Sequence, residues 1–90
     1  MIVSAVFLLL ANALLLTPTE QARADRLYTE FRCVVCQNQP ISDSDAEIAA
    51  IMRRLVDERV AAGDKDTEVR DFMVQRYGEY VLLIPSLSGK

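Results

Sequence analysis

The sequence contains no histidine. That absence removes the side chain most often used as a general base near neutral pH, and with it the commonest protein ligand for a transition metal. Cysteine is nearly missing too, with only Cys33 and Cys36 in the whole chain. Two cysteines without a histidine cannot close a tetrahedral zinc site within one chain. Glycine and proline are sparse, three of each among 90 residues, which argues against a loop-rich or disordered chain. No basic run exists. The ten Lys and Arg are scattered among thirteen Asp and Glu for a net charge of −3, so nothing asks for a nucleic acid partner. Internal repeats and low-complexity segments are lacking as well, and the length allows one small domain.

What is present divides into two materials. Residues 1–16, MIVSAVFLLLANALLL, carry no charge, and only Ser4 and Asn12 interrupt the apolar run. As a helix this run spans about 24 Å, short of the roughly 30 Å hydrocarbon core of a bilayer. It fits the apolar region of a secretory signal better, although no Lys or Arg precedes it. Ala22–Arg23–Ala24 supplies small residues for cleavage before Asp25, so the expected division is a signal peptide over 1–24. An uncleaved N-terminal anchor and a buried core helix are the alternatives. A mature chain of residues 25–90 buries a limited core and gains from a partner or a membrane surface.

The remainder reads as helices. Asp25–Arg32 places Leu27 and Phe31 four apart on one helical face, and Cys33–Asp43 reads as a loop because Pro40 disfavours helix at Gln39. Ser44 and Glu47 have the spacing of a capping box, which predicts a helix over Ser44–Ala62. Its apolar face is Ile48, Ile51, Met52 and Leu55, widened by Val56 and Val60, and Gly63 suits a left-handed C-terminal cap. Asp66 or Thr67 caps a third helix whose face is Val69, Phe72, Met73 and Tyr77, with Gly78 as its stop. Glu79–Ile84 reads as an extended tail or a last helical turn packed on the bundle. The expected fold is therefore all-α, a small three-helix bundle over residues 25–85, preceded by the hydrophobic segment and followed by a short tail at 86–90. A strand–helix–strand pattern is missing, so a thioredoxin fold is not expected.

The chemistry rests on Cys33–Val34–Val35–Cys36. Covalent haem attachment requires a histidine after the second cysteine, and Gln37 stands there. Zinc requires two further ligands, available only across a symmetric dimer. A structural disulfide closing four residues contributes only about 2 kcal/mol in the loop-entropy model, against about 3 for fifteen. Dithiol–disulfide exchange uses the spacing directly: one thiolate attacks a foreign disulfide and the other resolves the mixed disulfide. An oxidising compartment outside the cytoplasm keeps such a pair useful. Arg32 is the adjacent cation, and its charge favours the thiolate of Cys33, which makes Cys33 the expected first attacker. Gln37 and Asn38 are the neighbouring amides, suited either to a substrate backbone or to loop solvation.

Residues 32–44, RCVVCQNQPISDS, resemble the motif of the CcmH/CycL/NrfF family of cytochrome c maturation proteins, and the likeness continues through Arg76–Tyr77–Gly78 to Pro85. The resemblance implies a three-helix bundle with its cysteines on the loop after the first helix. It also implies a periplasmic-facing domain at the inner membrane. Its expected task is to reduce the Cys–x–x–Cys–His site of apocytochrome c, or to resolve a mixed disulfide there, before haem attaches. A non-catalytic adaptor with a structural disulfide is the alternative. The implied partners are apocytochrome c, membrane subunits of the haem lyase and a thioredoxin-like reductant. No tightly bound cofactor is implied beyond a redox-active Cys33–Cys36 disulfide. Arg32, Gln37 and Asn38 carry over as motif residues, while Phe31 stands where the family has leucine and Pro40 where it has serine.

Overall fold

A computed structural model of the chain describes residues 15–36 and 38–83. The apolar run up to Leu14, the motif residue Gln37 and the segment from Ile84 onward lie outside the described residues. Three helices form the described body: α1 over Pro18–Tyr28, α2 over Glu47–Ala61 and α3 over Asp66–Tyr77. A short 3-10 turn, Glu79–Val81, follows α3. This is the expected all-α bundle. No helix among the described residues is long and apolar enough to cross a membrane.

The first helix begins seven residues before the expected Asp25. Its start is local chemistry. The Thr17 hydroxyl accepts from Glu20 N at 3.1 Å, and the Glu20 carboxylate accepts from Thr17 N at 2.9 Å, a complete capping box with Pro18 in the first turn. The boundary expected after Ala24 falls inside this helix, where Ala24 is fully buried. A chain starting at Asp25 would lack the cap. It would also lack Arg23, which donates to the Asp64 carbonyl at 2.7 Å and to Asp66 at 2.9 Å. The helix also ends before Phe31, which is buried from the following loop rather than from a helical face.

On α2 the buried stripe is Ala49, Met52, Val56 and Val60, spaced three, four and four. Ile51 lies one helical step off that line and is 43% exposed, so it leaves the face it was expected to join. The helix closes at Gly63 with a φ of +91°. Gly63 N donates to the Val60 carbonyl and Asp64 N to that of Arg59, the paired bonds of a Schellman cap. The expected capping box at Ser44 does not form. Ala46 occupies the N-cap, and the Ser44 hydroxyl is engaged elsewhere. On α3, Val69 and Met73 are buried and Phe72 and Tyr77 pack partly against them. Lys65 rather than Asp66 or Thr67 holds the N-cap, because Glu68 reaches back to accept from Lys65 N at 2.8 Å.

α1 packs on α2, α2 on α3, and the 3-10 turn on α3. Each fully buried Leu, Ile, Met, Phe or Val in the core contributes about 1.5–3 kcal/mol from leaving water. Polar ties add direction. Asp66, at the positive end of α3, accepts from both Arg23 and Arg26 at 2.9 and 2.8 Å. Arg70 on α3 grips both oxygens of Glu30 at 2.6 and 3.1 Å. The Tyr28 hydroxyl on α1 donates to Asp57 on α2. Burial pushes both groups of that pair up, and the shared bond raises Tyr28 further while it restrains the rise of Asp57.

Burial alone would raise the Asp66 carboxyl, but the bonds and charges of Arg23 and Arg26 outweigh it and hold the group below the usual carboxylate range. A depressed acid stabilises the fold above its unfolded value and loses that contribution as pH falls through the folded one. The α1–α3 tie therefore weakens in the window below about pH 4. Asp66→Asn should lower stability at pH 7 and flatten its decline below pH 4 in urea titrations. An unchanged acid limb would exclude Asp66 as its source.

Candidate functional site

The cysteines lie on a tight hairpin between α1 and α2. Phe31 to Cys33 forms one limb and Gln39 to Ile41 the other. Cys33 N donates to the Gln39 carbonyl at 2.8 Å, and Ile41 N to the Phe31 carbonyl at 2.9 Å. Pro40 faces Arg32 between those two bonds, at a position where no N–H is required, so its missing donor costs nothing. Asn38 turns the tip with a φ of +64°, a left-handed conformation that asparagine tolerates better than most residues. The outer side of the first limb is paired as well. Phe31 bridges Leu82, Arg32 N donates to the Val81 carbonyl at 2.8 Å, and Leu83 N donates to the Glu30 carbonyl at 2.9 Å. The segment that read as a tail is thus a third limb holding the cysteine loop from behind.

Cys33 and Cys36 are joined as a disulfide, with their Cα atoms 5.1 Å apart, inside the usual range for such bridges. The two sulfurs live in different surroundings. Cys33 is part of the core at 1% exposure, whereas Cys36 only packs partly against it. Val35, between them, is 73% exposed at the apex. Cys36 is the less buried member of the pair.

The Arg32 side chain is engaged on both the hairpin tip and the segment behind it. Its guanidinium donates to the Asn38 side-chain oxygen at 2.6 Å and to the Leu82 carbonyl at 3.4 Å, and it lies 4.1 Å from the centroid of the Tyr80 ring. The Tyr80 hydroxyl donates to the same Asn38 oxygen at 2.7 Å. Arg32, Asn38 and Tyr80 therefore form a clamp that ties the hairpin tip to the 3-10 turn. Each exposed cation–π or neutral hydrogen-bond contact of this kind contributes about 0.5–1 kcal/mol. Arg32 Nε is buried with no acceptor among the described residues. Two of the three named modulators, Arg32 and Asn38, are thus brought together, and Gln37 lies outside the described residues.

Three participants escaped the sequence reading. Tyr80 lies 42 residues from Asn38, and no spacing rule links them. Ser44 was legible only as a helix cap, yet its Oγ lies 3.1 Å from Cys36 Sγ. Arg53, one turn into the α2 stripe, donates to the Ile41 carbonyl at 2.5 Å and the Ser44 carbonyl at 3.1 Å, pinning the second limb to α2. A groove lined by Leu15, Leu16, Arg54 and Ala61 among others includes neither cysteine.

A cysteine pair on the loop after the first helix of a small bundle is the arrangement that the family motif implied, and comparison with known proteins bears the family out. The CcmH sequence profile, described as a cytochrome c biogenesis protein, matches residues 1–90. The chain belongs to the CcmH family. It is 57% identical over 68 residues to the cytochrome c-type biogenesis protein CcmH of Bradyrhizobium diazoefficiens, covering 76% of this chain and 42% of that protein. Against CcmH of Pseudomonas fluorescens it is 45% identical over 71 residues, 79% of this chain and 46% of that one. Subunit NrfF of the formate-dependent nitrite reductase complex of Escherichia coli is 37% identical over 73 residues, 81% of this chain and 58% of the subunit. The chain spans about half the length of the curated relatives it matches. The chain carries its cysteine pair, Arg32 and Asn38 on one hairpin.

Proposed function

We propose that this CcmH-family chain is a thiol–disulfide oxidoreductase of cytochrome c maturation, which reduces the Cys–x–x–Cys–His site of an apocytochrome c before haem attaches. The observation that carries the reading is the asymmetry of the disulfide, with Cys33 sealed in the core and Cys36 within reach of another chain. A staple that only held the loop would need no accessible sulfur, and the hairpin is already held by backbone bonds on both sides.

In the reduced chain, the Cys36 thiolate attacks one sulfur of the apocytochrome disulfide. A Cys36–substrate disulfide forms, and the other substrate sulfur leaves as a thiolate that takes a proton from water. Cys33 then loses its proton to solvent and attacks Cys36 Sγ. The mixed disulfide breaks, the Cys33–Cys36 bond forms, and the second substrate sulfur leaves. Two electrons pass from the pair to the substrate. A dithiol reductant of thioredoxin type returns them by the same steps in reverse. The clamp of Arg32, Asn38 and Tyr80 keeps the loop in one geometry through both states, which limits the reorganisation each exchange requires.

The apolar run before Leu16 fits export and a periplasmic setting at the inner membrane. Any cleavage of it belongs before Thr17, so that the α1 cap is retained. The test is direct. The reduced full chain in mild detergent is mixed with an oxidised Cys–x–x–Cys–His peptide, and free peptide thiols are counted with time. The wild type should release two thiols per chain oxidised, and Cys36→Ser should fall to background. Binding of the peptide without thiol release by the wild type would favour the adaptor instead.

A further inference from the structure

Ser44 closes the motif at residues 32–44, but it does not cap α2. It is 4% exposed, the one polar residue among the described ones that is buried with the core. Its Oγ accepts from Ala46 N at 3.1 Å and lies 3.1 Å from Cys36 Sγ. A hydroxyl has two lone pairs and a single proton. With Ala46 N–H on a lone pair, the proton remains, and Cys36 Sγ is its acceptor among the described residues. Arg53 holds the Ser44 carbonyl from α2, so the hydroxyl is presented from a fixed backbone.

The direction of this chain of bonds matters. Ala46 is the N-cap of α2, so its N–H belongs to the positive end of that helix. Ala46 N–H donates to Ser44, and Ser44 O–H donates to Cys36, each bond polarising the next. A disulfide sulfur is a weak acceptor, whereas a thiolate is an ionised and strong one. The contact is therefore worth most after reduction, when Cys36 carries the charge.

We infer that Ser44 is a positioning residue for exchange at the cysteine pair, its hydroxyl donating a hydrogen bond that stabilises the Cys36 thiolate. The inference rests on the oxidoreductase reading for its purpose, but not for its physics. When a donor dithiol reduces the pair, its first thiolate bonds to Cys36 Sγ and the Cys33–Cys36 bond breaks, leaving the electron pair on Cys33, which takes a proton from water. The donor's second thiolate then displaces Cys36 from the mixed disulfide, and the donor ends as a disulfide. Ser44 meets the Cys36 thiolate released in that step. It keeps its own proton throughout and lowers the energy of the leaving group. The same contact raises the thiolate fraction of the reduced chain and favours the reduced pair over the disulfide.

The charged groups around this corner are Asp43 and Asp45 beside Ser44, Glu47 and Arg53 on α2, and Arg32 on the opposite limb. The chain has no histidine, so the thiols dominate the window between pH 6 and 9. The experiment is alkylation of the reduced full chain by iodoacetamide across that range, with modification at Cys36 quantified by mass spectrometry. The reduction potential is measured alongside against glutathione. In the wild type the Cys36 profile should have its midpoint below about 8.5, the ordinary value for a free thiol. Ser44→Ala should shift the midpoint upward, slow alkylation at pH 7 about tenfold and make the potential more negative. Ser44→Thr, which keeps the hydroxyl, should restore most of both.

A wild-type midpoint at or above 8.5 overturns the inference without any variant. So does a folded Ser44→Ala whose midpoint and potential match the wild type. No apocytochrome peptide enters this assay. Failure to reduce that peptide with a Ser44-dependent midpoint would sink the proposed function alone. Peptide reduction with a Ser44-independent midpoint would sink only the role of Ser44.

Discussion

Cys33→Ser, with Cys36 as the sole thiol, should accumulate a stable mixed disulfide with an oxidised Cys–x–x–Cys–His peptide, and Cys36→Ser should do so about a hundredfold more slowly. The asymmetry comes from burial. Cys33 is 1% exposed and belongs to the same buried core as Phe31 and Ile41. A foreign disulfide reaches it only after the loop opens, and an opening that costs about 3 kcal/mol slows reaction about a hundredfold. Cys36 needs no such opening. Its adduct also persists in Cys33→Ser, because the resolving sulfur is gone. Adduct formation is followed on non-reducing gels of the full chain, with mass spectrometry to place the bond. Equal rates in the two variants would show that the loop opens freely and that the burial of Cys33 does not order the exchange. A faster Cys36→Ser would restore the expectation drawn from the charge of Arg32.

Phe31→Ala is expected to cost the domain most of its stability. Phe31 is fully buried and is the largest of the buried side chains. Its carbonyl accepts from Ile41 N within the hairpin, and Phe31 bridges Leu82 of the C-terminal limb. Truncating a buried phenylalanine costs about 3–5 kcal/mol through lost transfer energy and the cavity left behind. A domain this small has on the order of 5 kcal/mol in total. Thermal unfolding followed by circular dichroism should move down by roughly 15–25 °C, or lose its cooperative transition altogether. Phe31→Leu leaves a smaller void and should recover most of the loss. It also restores the residue that the family motif has at this position. A drop of less than about 5 °C for Phe31→Ala would show that the hairpin is held by its backbone bonds and the Arg32–Tyr80 clamp rather than by its core.

The reach of the sequence is clearest where a signal is local. Gly63 and Gly78 stop α2 and α3 because each takes a positive φ, +91° and +89°, which a glycine accepts without strain. Helical spacing assigns Val69, Met73, Met52, Val56 and Val60 to the core, and each is buried. The start of α1 was equally local. Thr17–Pro18–Thr19–Glu20 is a capping box with proline in the first turn. The apolar run before it masks this signal, because a leader ending at Ala24 takes in the same residues. The capping box at Ser44 failed for the opposite reason. Serine three residues before glutamate satisfies the pattern, but a competing acceptor, Cys36 Sγ, and a closer donor, Ala46 N, had already claimed the hydroxyl.

By itself the sequence determined that this chain forms three helices, that a cysteine pair sits on the loop between the first two, and that the pair belongs to the CcmH pattern. Helical periodicity, glycine stops and a contiguous motif are all written within a few residues of the structure they cause. Only the tertiary structure decided which cysteine is the more deeply buried, that Tyr80 closes on Asn38 across 42 residues, and that the Ser44 hydroxyl meets a sulfur rather than a helix end. Those outcomes depend on where the 3-10 turn and α2 come to rest against the hairpin. That placement is settled by packing the whole core at once, and no spacing along the chain encodes it.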